Sequence, residues 1–216
     1  MPPHGVAAMS AARGSVAIVG VADTPVGVVP GPGATRLCID AILGALDDAG
    51  LPKSAVDGLV TLNPAAEPYT YHAEAIAEYL RIDPRWCWST QTGGSSAITT
   101  LQQAVHAIDA GACEVVVIAM AECLRSGLSR EAAVAMQSST GHPQFERPWG
   151  APVVAHYALI ARAHVHAYGT TPEQLAAVAV APRAHAVRNP AAQMRTHITV
   201  DDVLASRPIA DPLKLL

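Results

Sequence analysis

Little in this sequence is charged, and still less is aromatic. Asp, Glu, Lys and Arg make up 15% of the 216 residues, and Phe, Trp and Tyr together 4%, with a single Phe. So few charges exclude a chain held open by self-repulsion. With half the residues apolar and a mean hydropathy of +0.25, the chain has a core to bury. The scarcity of rings means that Ala, Val and Gly fill that core, which lets helices and strands approach closely. No run of Lys or Arg exists and the formal net charge is −4, so a nucleic-acid partner, which would need a clustered basic face, is not expected. The four cysteines, Cys38, Cys87, Cys113 and Cys123, form no C-x-x-C pair and have no histidine at zinc-site spacing. They read as reduced, buried thiols, which points to the cytoplasm. His156, His164 and His166 share one predicted helix but lack the i, i+4 spacing of paired ligands, so no metal is expected. No apolar run reaches membrane-spanning length, and the strongest near the start, Val16 to Val21, is too short for a signal core.

What is present is an alternation of strand and helix signals. Residues 1–14 are rich in Pro, Gly and Ala without periodicity and read as a disordered leader. Ser15 to Val21, apolar and β-branched, predicts a strand buried on both faces. Leu37, Ala41, Ile42, Ala45 and Leu46 line one face of a helix over Ala34–Asp48, stopped by Gly50 and Pro52. Val56–Leu62 and Trp86–Gln91 read as strands, Ala73–Leu80 and Ser95–Ala110 as helices. Cys113–Ala121 is the strongest strand and is read as central to the sheet. Such alternation predicts a mostly parallel sheet with helices on both faces. After Glu122 it stops. Residues 123–150 look irregular, and two helices follow. The second opens on Thr171-Pro172-Glu173-Gln174, a capping-box signature, with a kink or break expected at Pro182. Thr199 opens a last short helix. The chain closes on an apolar Pro212-Leu-Lys-Leu-Leu216, which reads as cut off.

The chemical centre is the turn Gly93-Gly94-Ser95-Ser96. It joins a predicted strand to a predicted helix, where α/β sheets bind ligands and where free N–H groups favour an anion or a polarised carbonyl. Two glycines admit a substrate close to the backbone, and Ser95 and Ser96 are suited to capping. A serine nucleophile would need an adjacent general base, and none is near in sequence. Glu122 ends the strongest strand on the ligand side, where it could orient a site or simply serve structure. Trp149, in Pro148-Trp-Gly150, could wall an acyl pocket or pack its loop.

The order of segments around the turn resembles the thiolase superfamily, most closely its sterol-carrier-protein-type thiolases and lipid-transfer-protein, thiolase-like aldolase relatives. The resemblance is carried by Gln91-Thr-Gly-Gly-Ser-Ser-Ala97, Leu101-Gln-Gln-Ala104, Ile108-Asp-Ala-Gly111 and Glu114-Val-Val-Val-Ile-Ala-Met-Ala-Glu122. Asp47-Asp-Ala-Gly-Leu51, Ala155-His-Tyr-Ala158, Tyr168-Gly-Thr-Thr171, Arg188-Asn-Pro-Ala-Ala192 and Ser206-Arg-Pro-Ile-Ala-Asp-Pro-Leu213 follow in family order.

The resemblance implies an α/β thiolase-like fold of which this chain is an N-terminal αβαβα half, incomplete without the C-terminal half. It implies an N-terminal core over 15–122 and a helical loop insertion over 123–216, ending before the last strand of the core. It places the family's nucleophilic Cys at Gly94, where this chain has only backbone. Gly94 and Ser95 are then the candidate catalytic positions, and Gly93, Ser96, Glu122 and Trp149 the candidate substrate-binding ones. The implied activity is retro-aldol cleavage of a β-hydroxyacyl-CoA, as in steroid or lipid side-chain breakdown; the alternatives are a thiolase-type acyltransferase and a non-catalytic acyl-CoA-binding or scaffold protein. No cofactor is implied beyond coenzyme A as part of the substrate. The implied partners are the acyl-CoA, a second copy in a homodimer, a DUF35/OB-domain protein, and a separate chain supplying the C-terminal half.

Overall fold

A computed structural model describes residues 14–31, 33–67 and 69–216, so the expected leader, Gly14 apart, lies outside the described residues. The chain forms two compact units, Met1–Gly127 and Leu128–Leu216.

In the first unit, helix α1 spans Ala34–Ala49 and ends on Gly50, whose left-handed φ of 66° lets its N–H reach back to Asp47 O. A 3-10 turn over Lys53–Ala55 leads to strand β1, Gly58–Leu62. Helix α2 (His72–Leu80), strand β2 (Trp86–Thr90), helix α3 (Ser96–Asp109), strand β3 (Val116–Ala119) and the short helix α4 (Leu124–Gly127) follow. The strands form a parallel sheet in the order β2-β1-β3, with Leu59 opposite Cys87 and Val117.

Strand alternation sorts the core into two layers. Leu59, Val117 and Ala119 pack with Cys38, Ile42 and Leu46 of α1 and Ile76 and Leu80 of α2. Val60 faces the other side, where α3 buries Ala104 and Ala107. Leu59 and Ile76 are fully buried, and each such side chain stabilises the fold by roughly 1.5–3 kcal/mol relative to exposure. At the amino ends of the strands the Asp57 carboxylate accepts the N–H groups of Glu114 and Val115 and pairs with Arg85 at 2.6 Å.

The second unit holds α5 (Arg130–Ser138), a 3-10 turn at Arg147–Trp149, α6 (Val153–Tyr168), α7 (Pro172–Ala186), α8 (Val200–Ala205) and an antiparallel ribbon of β4 (Pro208–Ala210) with β5 (Leu213–Lys214). Thr171 and Gln174 close the predicted capping box, and Thr199 and Asp202 form a second. Its buried apolar side chains are small ones, Ala158, Ala176 and Val203, while Tyr157, Leu159, Ile160 and Val178 are exposed.

Four expectations are corrected. Ser15–Val21 is extended but is not a strand, because Val16–Gly20 make no backbone hydrogen bond to a described residue. It lies instead against α1, with the Val21 N–H on Asp48 Oδ2 at 2.9 Å. The stretch 123–150 is not irregular throughout. Ser129 caps α5 by accepting from the Ala132 N–H, a helix start inside Ser-Arg-Glu-Ala-Ala-Val-Ala that periodicity over a longer window misses. Pro182 does not break α7, which stays helical on both sides of it. The central strand of the described sheet is β1, and β3 is an edge. Among the described residues, no helix is long and apolar enough to cross a membrane.

Candidate functional site

All three strands of the first unit point the same way, so their carboxyl ends bring together the loop after β1, the glycine turn after β2 and the segment Met120–Glu122 after β3. This is where a parallel sheet presents a ligand site.

The turn is a single 3-10 turn, Gly93–Ser95, running directly into α3. Gly93 has φ +62°, a left-handed conformation that reverses the chain after Thr92 and that a side chain would strain. Gly94 does not need to be glycine on steric grounds, since a Cβ there would meet nothing within 4 Å. Both glycines are exposed, and their N–H groups carry no hydrogen bond to a described residue. Two free donors thus sit at the start of a fourteen-residue helix, whose dipole adds partial positive charge.

The serines do not cap. Ser95, the N-terminal flanking residue of α3, makes no side-chain cap bond and donates its hydroxyl to Thr92 O at 2.8 Å. Ser96, buried, donates to Gly93 O at 2.7 Å and accepts from the Thr92 N–H at 3.1 Å. The reason is geometric. The preceding 3-10 turn already places Ser95 in helical φ/ψ, so both hydroxyls reach back to carbonyls rather than forward to amides. Thr92 and Thr99 join their hydroxyls at 2.9 Å on the same face. The hydroxyls hold the shape of the turn and leave the glycine amides without a partner among the described residues. No histidine or carboxylate hydrogen-bonds either serine among the described residues.

Glu122 accepts from the N–H groups of Ala65 (2.8 Å) and Ala66 (3.3 Å), fastening the loop after β1 to the end of β3. Sequence reasoning missed the other fastenings of that loop. Glu67 takes both the N–H and the hydroxyl of Thr35, at 3.0 and 2.6 Å. The fully buried His72 bridges two threonines, with Nδ1 3.1 Å from Thr61 Oγ1 and Nε2 3.4 Å from Thr35 Oγ1. Thr61 continues to Ser89 at 3.2 Å, and Ser89 accepts from the Ala73 N–H. Burial lowers the His72 pKa despite the opposing pull of a backbone hydrogen bond and of Glu67 and Glu122, so the ring is held neutral. Burial alone would raise the Glu67 carboxyl, but the hydrogen bonds from Thr35 outweigh it and lower its pKa. Only the histidine in Tyr71-His72-Ala73, just before the predicted helix Ala73–Leu80, could have hinted at this network. Its partners are 11 and 37 residues away.

Three of the four thiols, Cys38, Cys87 and Cys113, are poorly placed for nucleophilic attack. Burial pushes Cys38 up to about 12, and burial together with Glu74 pushes Cys87 up to about 11; Cys113 is also raised, chiefly by burial. A reactive cysteine needs the opposite shift. Cys87 lies within β2 and packs on the core as predicted. Trp149 belongs to the second unit, where the residue is 83% exposed and its indole N–H is donated to Phe145 O.

No family model matches the chain. It is 36% identical over 217 residues to a steroid side-chain-cleaving aldolase of Thermomonospora curvata, covering 96% of this chain and 54% of that protein. It superimposes on an Ltp2-ChsH2(DUF35) aldolase with a TM-score of 0.73 at 35% identity, covering 92% of this chain and 50% of that one. The chain belongs to the thiolase superfamily. An acetyl-CoA acetyltransferase of Methanothermobacter thermautotrophicus is 30% identical over 204 residues, 93% of this chain and 52% of that protein. The chain spans about half the length of these relatives, and its α/β architecture is that of a thiolase-like N-terminal half-domain.

Proposed function

We propose that this thiolase-superfamily chain is the thioester-holding subunit of a carbon–carbon lyase that cleaves a β-hydroxyacyl-CoA by a retro-aldol reaction. The observation that carries the reading is the pair of free amides at Gly93 and Gly94, on a turn without a thiol. The similarity to a steroid side-chain-cleaving aldolase supports the class of substrate. A base supplied by the rest of the assembly removes the β-hydroxyl proton. The Cα–Cβ bond then breaks as the β-oxygen becomes a carbonyl, and the electron pair passes to Cα and onto the thioester oxygen as an enolate. The amides of Gly93 and Gly94 donate to that oxygen, and the α3 dipole reinforces them. Protonation at Cα releases the shortened acyl-CoA. Glu122, Glu67 and His72 hold the neighbouring loop in place during these steps. The DUF35 partner of the solved aldolase suggests a similar partner here, and the exposed edge of β2, carrying Trp86 and Trp88, is the expected homodimer face.

The similarity to an acetyl-CoA acetyltransferase favours a second reading, acyl transfer through a cysteine. Iodoacetamide separates the two. The assembly containing this chain is incubated with a β-hydroxyacyl-CoA and the products are followed by liquid chromatography and mass spectrometry. Release of a carbonyl product and a shortened acyl-CoA, unaffected by alkylation, is the expected result. Loss of turnover by alkylation of a single cysteine, prevented by substrate, would replace the lyase with the acyltransferase.

A further inference from the structure

The hydrogen-bond network around His72 has a direction, and the supply of protons dictates it. Against burial, the Thr35 hydrogen bonds hold the Glu67 carboxyl below its ordinary 4.5, so at neutral pH it is a carboxylate and only accepts. The Thr35 hydroxyl donates its one proton there at 2.6 Å. Toward His72 Nε2, 3.4 Å away, Thr35 Oγ1 then has only lone pairs to offer, so Nε2 carries the ring proton. A neutral imidazole has a single N–H, which leaves Nδ1 bare, and Thr61 donates to it at 3.1 Å. With the Thr61 proton committed, the 3.2 Å bond between Thr61 and Ser89 runs from Ser89 to Thr61, and Ser89 accepts the Ala73 N–H at 2.9 Å.

Five hydrogen bonds thus point one way, from Ala73 through Ser89, Thr61, His72 and Thr35 to Glu67. Bonds aligned head to tail in a dry interior strengthen one another. His72 and Thr61 are fully buried, so a group left unpaired here bears its full desolvation cost. The opposite tautomer leaves two such groups. Its bare Nε2 faces the lone pairs of Thr35, and Thr61, accepting from Nδ1–H, turns its own proton to Ser89 and displaces the Ser89 proton from its acceptor. The Leu62 backbone is the one further acceptor at the ring among the described residues and offsets a single loss.

We propose that His72, as its Nε2–H tautomer, is a positioning residue for the glycine turn: the direction it imposes on the chain locks β2, which leads into Gly93, to the loop after β1 and to α1. Ser89 is the contact on β2, Thr35 the contact on α1 and Glu67 the contact on the loop. The tautomer and the rigidity it confers are independent of the chemistry of the turn. Only the rate measurement below rests on the lyase reading.

The test uses the assembly containing this chain, with the chain's histidine nitrogens isotope-labelled and the tautomer read by NMR from long-range proton–nitrogen couplings. The His72 resonances are identified by their loss in His72→Asn and, independently, by their shift in Thr61→Val. The parent chain is expected to carry the proton on Nε2, with Nδ1 bare. Thr35→Val keeps the shape of the side chain and removes the acceptor of Nε2–H. It should move the proton to Nδ1 and speed amide exchange at Ala65 and Thr92, on either side of the network, by about tenfold. Thr61→Val should leave the proton on Nε2, because Thr35 is still there to accept it. A role in packing alone predicts one tautomer in all three proteins. An Nδ1–H ring in the parent, or an unchanged tautomer in Thr35→Val, overturns the proposal. With a β-hydroxyacyl-CoA, Thr35→Val should lower kcat about tenfold and leave KM within about twofold, and an unchanged kcat also overturns it. A parent assembly that turns over no such substrate removes the lyase reading instead. Exchange at Thr92 then decides alone, and no change there overturns the positioning role.

Discussion

The loop after β1 and the turn after β2 leave the same end of one sheet but are built in opposite ways. The first is fastened on three sides, by Glu122 to β3, by Glu67 to α1 and, where it enters α2, by the buried His72. Among the described residues the second is held by its own hydroxyls and that of Thr99, and the N–H groups of Gly93 and Gly94 have no partner. Polar groups are spent on rigidity in one and kept unpaired in the other. Under the proposed function the open turn supplies the donors, and the fastened loop is a rigid neighbour at the same end of the sheet.

The largest effect should come from removing a donor in the open turn. Gly94→Pro deletes one N–H at a helix start, where proline is tolerated, and should lower kcat of the assembly about a hundred- to a thousandfold. Gly94→Ala keeps the N–H, meets no neighbour and should stay within a few-fold of the parent. Equal rates for the two variants would remove the amide from the mechanism. Next in size is His72→Ala in the fastened region. It leaves a cavity and strips Thr61 and Thr35 of a partner, and urea denaturation should show a loss of about 2–4 kcal/mol.

Acid should act on the same contrast more gently. The native His72 pKa lies below its ordinary 6.5, so the unfolded chain binds the extra proton first. The stability that the neutral ring provides is complete above about pH 6.5 and declines as pH falls from there to the native pKa. Glu67, lowered from 4.5, adds a further loss as pH falls below its ordinary value. Thermal midpoints measured against pH should slope downward below about pH 6.5 in the parent and flatten over that range in His72→Ala. The smallest change is expected for Ser95→Ala. Its exposed hydroxyl bonds only to Thr92 O, and both stability, to within about 0.5 kcal/mol, and turnover should survive. A collapse of turnover would instead make Ser95 a participant.

Local signals explain what could be read from the sequence. Glycines at helix ends, short β-branched runs and the Thr171 box act within a few residues, and they located six elements of the first unit in order, to within a few residues, and the turn between β2 and α3. What escaped depends on distant partners. The Ser15–Val21 run has the composition of a strand, but pairing is a property of two segments. Ser95 and Ser96 have the composition of caps, but a 3-10 turn changes which way they reach. His72 and Glu67 act on residues from 11 to 37 positions away, and nothing in their immediate neighbours announces it.

The open space beside Gly94 has a consequence at the level of the gene. A glycine codon ending in a pyrimidine becomes a cysteine codon by one base change, and no neighbouring atom resists the new side chain. Mutation can therefore place a thiol beside the unpaired amides without first remodelling the turn, so the steric barrier to gaining a thiol here is low.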